Sequence, residues 1–177
     1  MSRSFDFNAG SILVLLRLAV PQLLLLLLLI LNLMALPVPY AGPVKPMLVM
    51  MAVYYWSIYR PTLLPPWLCF IVGLLMDILS GMPPGVNAFI LVALQWLVQD
   101  QRRFLMGQPY VTIWAVFGLV MGGAALAEWV LLGLVLGWAA LTPVLAAVLL
   151  SLFLFPFVTL LLVFTHRLLP VASRTYP

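Results

Sequence analysis

The chain has 177 residues, of which 66% are hydrophobic and only 7% are charged, and its formal net charge is +4. Soluble globular domains are closer to half apolar and a quarter charged, so this composition excludes an ordinary water-soluble fold and indicates a lipid bilayer as the solvent. The arginines lie at the ends of apolar segments and form no basic stripe with interleaved aromatic residues, which excludes nucleic acid as a partner.

Apolar segments follow one another along the chain and are separated by short stretches rich in proline and glycine. A helix needs about 20 apolar residues to cross the hydrocarbon core of a bilayer. We predict six membrane spans, at residues 11–36, 47–59, 67–79, 86–98, 110–137 and 144–164. A cleavable signal peptide is the alternative for the first span, but its leucine run is longer than a usual signal core and no clear cleavage site follows.

The second span has two alternative paths, because it is short. It follows a proline-rich stretch, PVPYAGPVKP at residues 37–46, that predicts a loop. The span ends in Tyr54, Tyr55, Trp56 and Tyr59, and aromatic residues of this kind are typical of a membrane–water interface. Both a steep crossing and a partly re-entrant path fit its length.

The distribution of basic residues predicts the orientation. Six spans put both termini on one side, together with seven basic residues: Arg3, Arg17, Arg60, Arg102, Arg103, Arg167 and Arg174. The opposite side receives only Lys45. Because cytoplasmic loops carry the excess of Lys and Arg, we expect both termini in the cytoplasm. A five-span arrangement without residues 47–59 would largely remove this bias.

The most specific stretch is GLLMDILSGMPPG, at residues 73–85. An apolar run with one acidic residue near its end breaks at a Pro/Gly turn, and a second apolar span follows that leads to a pair of arginines. This pattern resembles the bacterial rod shape-determining protein MreD family. The matching residues are Gly73, Leu74, Leu75, Asp77, Ile78, Leu79, Ser80, Gly81, Pro84, Gly85, Arg102 and Arg103. The pair Glu128-Trp129 also looks typical of that family, whereas the double proline at 83–84 departs from it and stiffens the turn.

The resemblance covers nearly the whole chain and implies a function. It implies an all-α polytopic protein of the bacterial inner membrane that is a single integral membrane domain over residues 1–177. Such a protein acts as a non-catalytic scaffold of the cell-elongation complex and supports peptidoglycan synthesis and cell shape. The implied partners are the bitopic protein MreC, the actin-like MreB, a glycan polymerase of the shape-and-division family, a penicillin-binding transpeptidase and membrane lipid. The family's arrangement of about six helices is similar to that of the substrate-binding subunits of vitamin-uptake transporters.

Asp77 has two interpretations. It is either a helix-end carboxylate that is exposed to water and accepts hydrogen bonds from the turn, or a fixed acceptor that holds the turn at residues 80–85 or binds a partner residue. Gly73 lies one helical turn earlier on the same face, so a neighbouring helix can approach closely there. Gly81 and Gly85 are expected to supply positive φ angles for the turn.

The fifth span has two faces that call for protein neighbours. One face carries the small-residue pairs Gly118/Gly122 and Gly133/Gly137. Glu128 lies on another face, about 14 Å below the outer end of the span at 1.5 Å per residue, and such carboxylates usually face protein or a polar cavity. Together with Asp77 it predicts one polar patch towards the outer leaflet, available to a partner such as MreC.

Two other functions compete with the scaffold. A small-molecule-binding or transport subunit would need polar side chains converging on an outward cavity, and the spans offer Asn32, Asn87, Gln95, Glu128, Ser151 and Thr159. An intramembrane enzyme is not predicted, because no nucleophile, metal-ligand cluster or phosphate-binding loop accompanies the carboxylates. The single Cys69 excludes a disulfide within the chain, and no cofactor is expected. Orientation of the chain and contact with lipid headgroups are sufficient to explain Arg102 and Arg103, and docking of a cytoplasmic filament protein is the alternative.

Overall fold

The fold is given by a computed structural model, which describes residues 9–34, 36–38 and 42–168. Within these residues the chain forms seven α-helices and one short β-hairpin. The helices are α1 (Ala9–Asn32), α2 (Leu48–Tyr59), α3 (Pro66–Ser80), α4 (Val86–Asp100), α5 (Arg102–Leu105), α6 (Tyr110–Leu136) and α7 (Thr142–Leu168). The terminal arginines Arg3 and Arg174, which contribute to the predicted orientation, lie outside the described residues.

Each of the six predicted spans corresponds to one helix, with two corrections between the first and the second. α1 ends at Asn32, earlier than predicted, and the stretch predicted to be a loop contains strands β1 (Leu36–Val38) and β2 (Gly42–Val44). The strands pair antiparallel, with Pro37 opposite Pro43. Proline is compatible with an extended edge strand that has few ladder hydrogen bonds, so a proline-rich segment can form a short hairpin.

α2 is the central helix, and three of the four aromatic residues at its end are buried inside the bundle. The position predicted for this end, at the membrane–water interface, stays a prediction. Eleven of its 12 residues are buried, and it packs against α1, α4 and α7. Tyr54 and Trp56 are 0% and 1% exposed. At 1.5 Å per residue, 12 residues span about 18 Å, less than the roughly 30 Å of the hydrocarbon core. Neighbouring helices surround nearly all of this short helix.

An aromatic cluster joins α2 to the two longest helices. The Tyr54 hydroxyl donates a hydrogen bond to the Ile113 carbonyl of α6, at 2.9 Å. The Tyr54 ring lies edge-on to Phe117 of α6, with centroids 5.3 Å apart, and Phe117 stacks on Phe155 of α7 at 3.9 Å. Buried aromatic pairs of this geometry add to the stability that their apolar area provides. The hydroxyl of Tyr54 is thus satisfied inside the bundle.

The outer surface is apolar. α6 and the segment Thr142–Thr165 of α7 are each long and apolar enough to cross a membrane. Their exposed side chains include Leu119, Leu134 and Phe153, all more than two-thirds exposed. Large exposed apolar surfaces of this kind are unfavourable in water and match the hydrocarbon of a bilayer. The structure therefore agrees with a helical membrane protein.

Candidate functional site

The turn between α3 and α4 ends the first helix through its backbone. Gly81 has a φ of 65°, in the left-handed region, so α3 stops there. The N–H of Met82 donates to the carbonyl of Asp77 at 2.9 Å, and the N–H of Gly81 donates to that of Ile78 at 3.3 Å. This pair of bonds is a Schellman motif, which satisfies the last carbonyls of a helix. Gly85, with a φ of 105°, then precedes α4, so both positive φ angles predicted from the sequence are confirmed.

The side chain of Asp77 caps the second helix of the hairpin. One carboxylate oxygen, Oδ2, accepts the backbone N–H of Gly85 at 2.8 Å. The other, Oδ1, accepts the backbone N–H of Asn87 at 3.1 Å and its side-chain amide at 2.8 Å. The first N–H groups of a helix have no partner within it, and a negative charge is favourable at that end. A residue of α3 thus supplies the N-terminal cap that α4 lacks in its own sequence.

Gly73 brings the two helices of the hairpin together one turn below Asp77. A Cβ atom at this position would lie 2.5 Å from the backbone nitrogen of Ala88 and 2.8 Å from the carbonyl carbon of Asn87. Only glycine permits this distance, because the obstructing atoms are backbone and cannot rotate away. The close approach predicted for Gly73 is confirmed, and the neighbouring helix is α4. Gly73 and Asp77 lie on the same face of α3. The close spacing that Gly73 permits therefore brings the start of α4 within reach of the Asp77 carboxylate.

These contacts decide between the two interpretations of Asp77. The residue is 0% exposed, so the exposure to water in the first interpretation is wrong, while the hydrogen bonds from the turn are common to both. Both oxygens are used inside the hairpin, where they hold the turn. Of the other turn residues, Ser80 is partly buried and Pro84 is exposed. We call Asp77, with its three donor groups on Gly85 and Asn87, the hairpin clasp.

A cavity of about 340 Å³ lies beside the hairpin clasp, at one end of the bundle. It is lined by the end of α1, the start of α2, the end of α3, the start of α4, the end of α6 and the start of α7. These helix ends therefore lie together. The lining residues that carry polar side-chain groups are Asn32, Lys45, Ser80, Asn87, Glu128 and Trp129.

The cavity brings together charges that are far apart in the sequence. Lys45, which the sequence places in a proline-rich segment on the outer side, lines the same cavity as Glu128. The cause is the β-hairpin, which returns the chain to the bundle just before α2. Asp77 itself does not line the cavity, but Asn87, which donates to it, does. The two carboxylates are therefore neighbours of one polar region.

Trp129 fixes the loop that closes the cavity between α6 and α7. Its indole N–H donates to the Ala139 carbonyl at 3.0 Å, and its ring packs against Trp138 with centroids 4.8 Å apart. Gly133 lies under this loop, where a Cβ atom would be 2.7 Å from the Trp138 ring. Glu128 is thus followed by the residue that positions the cavity wall.

The glycines predicted to share one face of the fifth span have no common neighbour. Gly118 faces Leu152 of α7, a Cβ atom added at Gly122 would meet no atom within 4 Å, and Gly133 meets Trp138 of its own loop. Gly137 lies beyond the end of α6, with a φ of 96°. A G-x-x-x-G spacing is common by chance in apolar helices, and here the surroundings of the four glycines differ from one position to the next.

The two arginines at the other end of the bundle, Arg102 and Arg103, differ in their contacts. The Nε of Arg102 donates to the Ile58 carbonyl near the end of α2, at 2.6 Å, while Arg103 is exposed. A cation at a helix C-terminus is favourable because it satisfies a carbonyl and complements the helix dipole. Arg102 therefore has a packing role in addition to any effect of its charge on orientation.

Only some of the polar residues that a small-molecule-binding subunit would need line the cavity. Asn32, Asn87 and Glu128 line the cavity, whereas Gln95 and Ser151 do not. Gln95 donates to the Leu64 carbonyl, and Ser151 accepts the N–H of Met47, a residue of the cavity wall. Thr159 is buried on α7 and does not line the cavity. Among the described residues, no group of three or more His, Cys, Asp or Glu side chains could hold a metal ion.

A comparison of the sequence with models of known protein families finds one match. The family model described as rod shape-determining protein MreD matches residues 13–165, which include the hairpin clasp and every helix that lines the cavity. The chain belongs to the MreD family. Membership associates this MreD-family chain with the determination of rod shape and with the cell membrane. No curated protein and no solved structure matches it, so the likeness to vitamin-transporter subunits stays a prediction.

Proposed function

We propose that this MreD-family chain is a non-catalytic scaffold of the bacterial inner membrane. In this role it holds proteins of the cell-elongation complex in position while they synthesise peptidoglycan. Family membership supports the part in rod-shape determination. The proposed partners are MreC, MreB, a glycan polymerase of the shape-and-division family and a penicillin-binding transpeptidase. The chain would contribute shape and binding surface rather than chemistry.

We propose six crossings with both termini in the cytoplasm. The shared cavity supports this, because it collects alternate ends of the six principal helices. The bond from Arg102 to the Ile58 carbonyl supports it from the other end, where the last turn of α2 meets the arginine pair. Arg60, Arg102 and Arg103 would then lie at the cytoplasmic surface, and Lys45 at the outer one. The turn at residues 80–85 would face outwards.

The observation that carries the scaffold proposal furthest is the hairpin clasp. It fixes a turn whose outermost residues, Gly81 and Pro84, are exposed. A surface that is already ordered loses little conformational entropy when a partner binds. Asp77 would therefore act indirectly, by presenting the turn to the membrane-spanning or external part of MreC. The carboxylate itself is buried and would not contact the partner.

Photo-crosslinking in membranes tests this proposal. A photoreactive residue at Pro84 should give an adduct with MreC, identified by mass spectrometry. The same residue at Thr62 is the matched control, because Thr62 is also exposed in a short connection but follows α2 at the opposite end of the bundle. Adducts of MreC from Thr62 and none from Pro84 would contradict the assignment of the turn as the partner surface.

A further inference from the structure

The cavity beside the hairpin clasp is lined by one basic and one acidic side chain that are not in contact. Lys45 precedes α2 and Glu128 lies in α6. Among the residues that the structure describes, neither side chain forms a hydrogen bond, and no salt bridge within 4.0 Å joins them. A charge held in an apolar environment is costly unless a partner of opposite charge or a hydrogen bond satisfies it. Both side chains line the same cavity, so a ligand bound there would have a basic and an acidic group within its walls.

Each of the two asparagines of the cavity uses one of its two side-chain groups in a hydrogen bond within the protein. Asn87 uses the amide NH₂ group and Asn32 uses the oxygen. Asn87 donates its amide hydrogen to Asp77, which leaves its side-chain oxygen as an acceptor. Asn32 uses its oxygen to accept the N–H of Val49, at 3.4 Å, which leaves its NH₂ group as a donor. The cavity thus offers a donor and a cation for an anionic group, and an acceptor and a carboxylate for an ammonium group.

The rest of the lining is apolar and adaptable. Four methionines, Met47, Met50, Met76 and Met82, contribute to the wall. Methionine side chains are flexible and polarizable, so they fit around ligands of irregular shape. The volume of about 340 Å³ lies at the lower end of the range for small-molecule sites, roughly 300–1,000 Å³. The ligand must therefore be small, or only a small part of a larger molecule can enter.

We propose that this cavity binds a zwitterion in which a phosphate or carboxylate meets Lys45 and a primary ammonium meets Glu128. Two sources share this chemistry: the headgroup of phosphatidylethanolamine in the membrane, and a water-soluble molecule such as O-phosphoethanolamine or an amino acid. The proposal concerns binding alone and does not depend on the scaffold role. The hairpin clasp would contribute by fixing Asn87, and with it the acceptor oxygen.

The first test compares ligands on the unaltered full chain, purified in detergent and measured by native mass spectrometry and by the shift in thermal unfolding temperature. Phosphatidylethanolamine should bind about tenfold more tightly than phosphatidylglycerol, which has the phosphate but no ammonium; tenfold corresponds to about 1.4 kcal/mol. Saturable binding of O-phosphoethanolamine, but not of inorganic phosphate, would support the same site and assign a soluble source. Equal affinity for the two lipids, with no saturable binding of O-phosphoethanolamine, would overturn the proposal.

The second test assigns the two charges. Glu128→Gln should remove the preference for the ammonium group while binding of the phosphate remains, and Lys45→Met should weaken all phosphate-containing ligands. Asp100→Asn is the matched control, since it removes an exposed carboxylate at the far end of α4. The preference is a ratio measured within each variant, so a general loss of stability does not imitate it. An unchanged preference in Glu128→Gln would refute the assignment.

Discussion

Replacement of Asp77 should destabilise the α3–α4 hairpin in two graded steps. The carboxylate gives two oxygens to three donors: the N–H groups of Gly85 and Asn87 and the Asn87 amide. In Asp77→Asn, one oxygen becomes an NH₂ group, so if the remaining oxygen serves Asn87, a donor faces the Gly85 N–H. One charge-assisted hydrogen bond is then lost, worth about 1.5–3 kcal/mol.

Asp77→Leu removes all three acceptor contacts. The Gly85 N–H is near the surface and can bind water, but both donors of Asn87 are buried. Each buried donor left without a partner costs about 1–3 kcal/mol, so the loss is roughly 2–6 kcal/mol. That is a large part of the roughly 5–15 kcal/mol by which folded domains are typically stable. We expect Asp77→Leu to unfold the hairpin or to prevent stable expression.

The assay is unfolding in detergent together with amide hydrogen exchange at Gly85 and Asn87. Exchange at these two amides should accelerate in both variants, and more in Asp77→Leu. Asp100→Asn and Asp100→Leu are the controls, because Asp100 ends α4 at an exposed position. The reasoning is refuted if Asp77→Leu unfolds within about 0.5 kcal/mol of the unaltered chain, the range of ordinary surface substitutions.

Two further predictions concern single contacts, and a third concerns the orientation in the membrane. Gly73→Ala should lower the unfolding temperature, because its Cβ would meet the Ala88 backbone nitrogen at 2.5 Å. Gly122→Ala has no atom within 4 Å and should leave the unfolding temperature unchanged or raise it through helix propensity. Equal effects of the two substitutions would contradict the close approach of α3 and α4. Arg102→Gln should destabilise by about 1–3 kcal/mol through a lost carbonyl contact, and Arg103→Gln by less, as denaturant unfolding would measure; the reverse order would refute that role. In a chain with its native cysteine replaced by alanine, Pro84→Cys should react with an impermeant maleimide from the outer face of the membrane, and labelling only from the cytoplasm would overturn the proposed orientation.

Much of the secondary structure could be read from the sequence because its causes are local. Proline and glycine interrupt helices at the ends of the apolar runs, so the runs between them correspond to the observed helices. The positive φ angles of Gly81 and Gly85 follow from the absence of a side chain at a turn. The isolated carboxylate in an apolar run marked Asp77, and the small residue one turn earlier marked the face that packs against α4.

The position of each helix in the bundle could not be read in the same way. In a soluble protein an apolar side chain indicates the core, but in a membrane both lipid and protein accept it. The aromatic end of α2 therefore gave no sign in the sequence that Tyr54 and Trp56 are surrounded by neighbouring helices. The neighbours of the α6 glycines could not be predicted for the same reason, since spacing along a helix does not reveal whether a neighbour is present at Gly122.

The sequence by itself determined the membrane environment, the helices and the turn, since composition and backbone preference act within short stretches of chain. Only the tertiary structure decided what the polar residues meet. Lys45 and Glu128 are 83 positions apart and share a cavity because a β-hairpin and the packing of α6 bring them to the same end of the bundle. Contacts between distant residues depend on how whole helices pack, and no local pattern records that.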